Sequence, residues 1–225
     1  MLIRFFLPWM LLFSTLVLLQ EITVRGSGKI GISDGKETSD KHIRLLFLGN
    51  SLTYTNDLPA LVEQRALEQG FKVRADMIAL PNYAIIDHWM DGKASKRILK
   101  GQYDFVIVQQ GPSSQAEGLR LLKEGGSKFS ELCKKKGARL CYYMVWPARE
   151  HYASFDAVIR NHEEAARSNE ALLCPVGKVW KGYIDTTGRY DYYGPDGFHP
   201  SLKGSQVAAA VIVNSLFGAK PDTIR

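Results

Sequence analysis

From Ile43 onward, short apolar runs rich in β-branched and aromatic residues alternate with longer amphipathic segments. That alternation is the signature of an α/β arrangement. Ile43 to Leu48, Phe71 to Ile78, Phe105 to Gln109, Leu140 to Val145 and Leu172 to Cys174 read as buried parallel strands. Helical spacing intervenes at Leu58, Leu61, Val62 and Ala66, around Ala94 to Leu99, from Leu119 to Cys133 and from Phe155 to Ala171. A last helix follows Pro200-Ser201 and runs through Ala208-Ala209-Ala210-Val211-Ile212 to Phe217. The expected fold is a flavodoxin-like, three-layer α/β/α sandwich on a parallel sheet of about five strands. With 225 residues and no internal repeat, one domain is expected.

The flanks differ from this pattern. Arg4 precedes an apolar stretch from Phe5 to Leu19, broken only by Pro8, Ser14 and Thr15. It is short against the ~20 apolar residues of a comfortable bilayer crossing, which favours a signal peptide over a membrane anchor at residues 1–20. No small-x-small cleavage site follows Leu19, so a cleaved signal and a retained anchor both stay open. Either way the expected location is exported, periplasmic or extracellular, or held at a membrane by that segment. Residues 21–41 are polar and glycine-rich and read as a linker, leaving 42–225 as the domain. Gly26, Gly28 and Gly31 match a dinucleotide fingerprint only in spacing, because no strand precedes them and no helix follows.

Charge and cysteine content narrow the partners. The net charge is +6, and the densest basic run is Lys134-Lys135-Lys136 before Gly137. That is the chemistry of a helix end, and with no basic stripe or reading motif no nucleic-acid partner is expected. Cys133, Cys141 and Cys174 cannot all pair, and read as buried thiols with room for one disulfide outside the cytoplasm. No His, Cys and Asp grouping has zinc spacing, so neither a metal nor a cofactor is expected.

In an open parallel sheet, function gathers on the loops at the carboxyl ends of the strands. Ser51 lies just past the first strand, Asn82 past the second and Gln110-Gly111-Pro112-Ser113 past the third. Near the C-terminus, Asp196 and His199 stand three residues apart in Asp196-Gly197-Phe198-His199-Pro200. At that spacing a carboxylate can accept from one ring nitrogen while the other deprotonates a serine hydroxyl. The other histidines fit less well: His88 follows Asp87 directly, His42 precedes a strand, His151 is in a loop and His162 is in a charged helical segment.

Gly49-Asn50-Ser51-Leu52 and Asp196-Gly197-Phe198-His199-Pro200-Ser201 are similar to the first and last sequence blocks of the SGNH hydrolases, the GDSL-type esterase superfamily. The resemblance spans about Ile43 to Phe217. It implies the same sandwich, with Ser51 as nucleophile, His199 as general base and then acid, and Asp196 orienting His199. It also implies an oxyanion hole of the Ser51 N–H, the N–H of Asn82 where the family has glycine, and a third donor. The third block, Gln109-Gln110-Gly111-Pro112-Ser113-Ser114, lacks the family's Asn but is similar to the Gln-Gly of its sugar acetylesterases. Gln110 is therefore the expected third donor, with Ser113 the alternative. The implied activity is hydrolysis of short-chain carboxylic esters, with the acyl group, the alcohol and any competing transfer left open. Tyr183, Tyr190, Tyr192, Tyr193, Phe198 and Trp146 fit either of two readings, stacking on the rings of a small-molecule or carbohydrate ester or, at least as readily, ordinary packing of a long loop. Two other readings share the architecture: a non-catalytic carbohydrate-binding module with drifted middle blocks, and a flavin or nucleotide binder lacking a phosphate-cradling loop.

Overall fold

The structure, a computed structural model, describes residues 42–218. The export segment and linker expected at 1–41 lie outside the described residues. Strands β1 (Ile43–Gly49), β2 (Val73–Ala79), β3 (Phe105–Val108), β4 (Arg139–Tyr143) and β5 (Leu172–Cys174) form one five-stranded sheet in the order β2-β1-β3-β4-β5. Every pairing is parallel, with Ile43 opposite Val73, Leu45 opposite Phe105 and Cys141 opposite Leu172. This is the flavodoxin-like order in which the direction of winding reverses beside the first strand.

Alternate residues of each strand feed opposite faces. Leu45 and Phe47 point to one side with α2 (Leu58–Glu68), α7 (Val176–Thr187) and α8 (Leu202–Phe217). Leu46 and Leu48 point to the other with α3 (Ile85–Met90), α4 (Lys93–Lys100) and α5 (Ala116–Lys136). Helix α6 (Phe155–Ser168) serves both cores, through Phe155 and Ile159 on the first and Ala165 and Ala166 on the second. The sequence pattern misses α3, too short to show a period, and α7, whose glycines blur one. Lys134 to Lys136 end α5, and Gly137 follows at φ 72°, where its N–H caps the Cys133 and Lys134 carbonyls.

The three cysteines are buried free thiols, so the disulfide that the sequence allowed is not formed. Burial pushes Cys133 and Cys174 up to about 12, which leaves both protonated and inert. No helix of the described residues is long and apolar enough to cross a membrane.

Helix α5 sits unusually close to the sheet. A Cβ on Gly126 would fall 1.5 Å from the Tyr142 hydroxyl, which donates to the Leu122 carbonyl at 2.8 Å and accepts from Asn169 Nδ2 at 2.7 Å. The buried His162 is held neutral: its Nδ1–H donates to the Val158 carbonyl at 2.8 Å, and burial pushes its pKa down to about 4.

Gly126→Ala is expected to cost about 1–3 kcal/mol by overpacking, seen as a thermal midpoint lowered by several degrees. Stability should also decline as pH falls from about 6.5 to about 4, because the unfolded chain takes up a proton that buried His162 refuses. The loss reaches roughly 3 kcal/mol at full protonation of the unfolded state. Urea unfolding at stepped pH should show that decline shrinking in His162→Leu.

Candidate active site

The site grows from the end of β1. Gly49 leaves no room for a side chain: a Cβ there would meet Thr53 Oγ1 at 2.2 Å and Gln109 Oε1 at 2.5 Å. Asn50 then caps the short helix α1 (Ser51–Tyr54), its Oδ1 accepting from the Leu52 N–H at 3.1 Å. Ser51 thus occupies the first position of a helix, where a main-chain N–H has no intrahelical partner. This N–H makes no hydrogen bond among the described residues.

Gln109 fixes Asn50 from the end of β3. Its Oε1 accepts from the Asn50 N–H at 2.9 Å and the Thr53 hydroxyl at 2.8 Å, and its Nε2 donates to Asn50 Oδ1 at 3.0 Å. Asn50 Nδ2 in turn donates to the Tyr83 carbonyl at 3.0 Å, holding the loop after β2. His88, fully buried on α3, joins its Nε2 to the Gly49 carbonyl at 2.8 Å, and burial lowers its pKa. It serves the strand end, and its Nε2 is engaged by the Gly49 carbonyl and not by Ser51.

Ser51, Asp196 and His199 meet. Ser51 Oγ lies 2.9 Å from His199 Nε2, and His199 Nδ1 lies 2.5 Å from Asp196 Oδ2. The other carboxylate oxygen of Asp196 accepts from the N–H groups of Phe198 at 3.0 Å and His199 at 2.9 Å. The His199 partnership and these N–H groups hold the Asp196 carboxyl below its usual range. The loop is closed by Gly194 N–H to the His199 carbonyl at 2.7 Å, and by Trp146 Nε1 to the Phe198 carbonyl at 3.0 Å.

Asn56 was not marked by the sequence. It lies in the turn Thr55–Asp57 at φ 57°, and its Nδ2 donates to the Pro200 carbonyl at 3.1 Å and to Ser205 Oγ at 3.0 Å. It therefore ties the serine loop to the histidine loop. Its only sequence signal is an Asn between Thr55 and Asp57, which reads as ordinary turn chemistry.

The remaining expected donors divide. Asn82 sits at φ 61°, the left-handed backbone that glycine would favour, with an exposed side chain. Its N–H has no hydrogen-bond partner among the described residues. Gln110 faces elsewhere: it is buried, its Nε2 donates to Ser113 Oγ at 2.8 Å and the Gly118 carbonyl at 3.4 Å, and its Oε1 accepts from the Ile85 N–H at 3.3 Å. Ser113 Oγ donates to the Gly111 carbonyl at 3.0 Å. The side chains of Gln110 and Ser113 thus shape the third loop, and neither is drawn to Ser51.

Of the two readings of the aromatic residues, packing holds for most of them. Trp146 and Trp180 stack at 3.4 Å, Tyr192 and Tyr193 are buried beside them, and the Tyr193 hydroxyl donates to the Pro147 carbonyl at 2.9 Å. Arg149 covers the Tyr190 ring at 4.4 Å, and Lys203 lies over Tyr183 at 5.2 Å. Phe198 is the exception, lining a cavity of about 610 Å³ with Pro112, Gln115, Pro147, Ala148 and His151. Among the described residues, no cluster of three or more His, Cys, Asp or Glu side chains could hold a metal ion.

No family model matches the chain, and neither does any curated protein. Solved structures do. A Slackia heliotrinireducens protein assigned as an SGNH hydrolase aligns at TM-score 0.66 and 23% identity, over 78% of this chain and 100% of that one. The lipase/acylhydrolase from Enterococcus faecalis aligns at TM-score 0.63 and 17% identity, over 81% and 100%. A point mutant of an acetyl-xylooligosaccharide esterase from a Geobacillus species aligns at TM-score 0.60 and 14% identity, over 78% and 94%. The five-stranded parallel sheet with helices on both faces, carried through these alignments, gives the chain the fold of the SGNH hydrolases.

Proposed function

We propose that the protein is a serine esterase acting on carboxylic esters through Ser51, His199 and Asp196. The observation that carries this reading is the unbroken line from Ser51 Oγ to His199 Nε2 at 2.9 Å and from His199 Nδ1 to Asp196 Oδ2 at 2.5 Å. In the reaction, His199 Nε2 takes the Ser51 proton as Oγ attacks the ester carbonyl carbon. The resulting oxyanion faces the Ser51 and Asn82 N–H groups. The intermediate collapses as the imidazolium returns its proton to the departing alcohol, leaving an acyl-serine. His199 then deprotonates a water that attacks this acyl group, and the acid leaves with Ser51 restored.

Asp196 keeps the ring in the tautomer that presents a bare Nε2 to the serine, and stabilises the imidazolium. With the Gln110 amide committed to its own loop, the hole rests on two main-chain donors. A missing donor costs about 10²–10³ in rate, so turnover is expected to be modest. A short-chain acyl group on a carbohydrate alcohol is the substrate favoured, supported by the cavity beside Phe198 and by an acetyl-xylooligosaccharide esterase among the structural neighbours. The apolar amino-terminal segment favours an ester met outside the cytoplasm.

The same Gln110 geometry favours a second reading, a saccharide-binding module that has lost catalysis. A serine-directed phosphonate separates the two. Wild type is expected to label and Ser51→Ala to remain unlabelled; an unlabelled wild type that binds saccharide supports the module instead. Asp196→Asn retains an oxygen for the Phe198 and His199 N–H groups but loses the charge, so kcat for a small acetyl ester should fall about 10²–10⁴-fold with the fold intact. Paired kinetics and circular dichroism check this.

A further inference from the structure

Away from the triad, the edge of the sheet carries a basic groove. A cavity of about 610 Å³ is lined by Arg44 of β1, Ile78 of edge strand β2, Tyr103, and Lys93, Lys96, Arg97 and Lys100 of α4. Arg44 and Arg97 share one carboxylate, Asp76, at 3.2 and 3.0 Å. Lys93 lies 3.8 Å from Asp91, and Asp104 accepts from the Arg44 main-chain N–H at 2.8 Å. Lys96 and Lys100 have no anionic partner among the described residues. Four of the eight residues of α4 are cations and none is acidic. Like charge concentrated on one short helix repels itself, and an anion in the groove would relieve that repulsion.

The groove has a length as well as a charge. In the parallel register Arg44 lies opposite Arg74 and Leu48 opposite Ile78, so Arg44 and Ile78 are four residues apart along the strands. At ~3.3 Å per residue the lined stretch extends about 13 Å, longer than a single phosphate or carboxylate needs. The groove is shallow and open, and its cations are spread along a helix and a strand edge rather than gathered around one point. Tyr103 offers no free ring to a nucleobase: it is 7% exposed, its hydroxyl donates to Asp76 at 2.6 Å, and the Arg44 guanidinium covers its ring at 5.1 Å.

We infer that this groove binds an extended acidic polysaccharide, its carboxylates meeting Lys96 and Lys100 and its chain lying along α4 and the β2 edge. The site is separate from Ser51, and the inference stands whether or not the chain hydrolyses esters. Binding of the full chain to polygalacturonate, with neutral dextran as control, tests it by titration in low and in moderate salt. Wild type should bind polygalacturonate in a salt-sensitive manner and leave dextran unbound. Lys96→Glu with Lys100→Glu, both exposed substitutions, should weaken that binding at least ~10-fold at low salt, while phosphonate labelling of Ser51 and the thermal midpoint stay unchanged. Wild type that fails to bind polygalacturonate, or a double variant that binds it equally well, overturns the proposal. So does a double variant that loses affinity for duplex DNA or phosphatidylserine vesicles but keeps it for polygalacturonate.

Discussion

The reciprocal amide clamp between Asn50 and Gln109 is the contact on which the rim of the sheet depends. Two neutral carboxamides, both almost fully buried, meet between the exits of adjacent parallel strands: Gln109 Nε2 donates to Asn50 Oδ1, and Gln109 Oε1 accepts from the Asn50 main-chain N–H. An unpaired amide there would leave a buried polar group unsatisfied, at a cost of about 1–3 kcal/mol. The clamp sets the start of α1 and therefore the direction of Ser51. Through Asn50 Nδ2 it also sets the loop that carries Asn82. Gly49 is the complement of this clamp, since the space a side chain would take is already filled by Thr53 and Gln109.

The histidine loop obeys a different logic. It is short, exposed on one side and built on the buried aromatic stack of Trp146, Trp180, Tyr192 and Tyr193. Its order comes from main-chain bonds organised by Asp196, which accepts from two N–H groups with one oxygen and from the imidazole with the other. One carboxylate thus folds the turn and orients the ring. The rigid aromatic layer beneath supplies the support that such a constellation needs.

What was legible in the sequence follows from how local each signal is. The strands showed as apolar runs, and Ser51, Asp196 and His199 stood in short blocks whose turn chemistry could be read residue by residue. Gln110 could not be read this way. Gln109 and Gln110 are neighbours leaving a strand and point to opposite sides, so composition does not say which one meets the serine loop. Resemblance favoured Gln110, whereas the geometry gives Gln109 the bracing role and Gln110 the internal bonds of its own loop. The tyrosines were ambiguous for a related reason: a ring beside such a loop looks the same in sequence whether it faces the groove or the core. Asn56 was invisible because its partners, Pro200 and Ser205, lie some 144 and 149 residues away.

That long-range tether bears on what holds the two loops together. The serine loop is braced by the clamp at the end of the first strand, and its partner loop leads into α8, the last helix among the described residues, which packs against α2 near the start of the domain. Closing a loop of that length costs conformational entropy, which the packing around the tether must offset. Without α8, Asn56 would lose the Ser205 hydroxyl and the core would lose the packing of α8 on α2. The geometry of one loop is in this sense underwritten by a helix far from it in sequence.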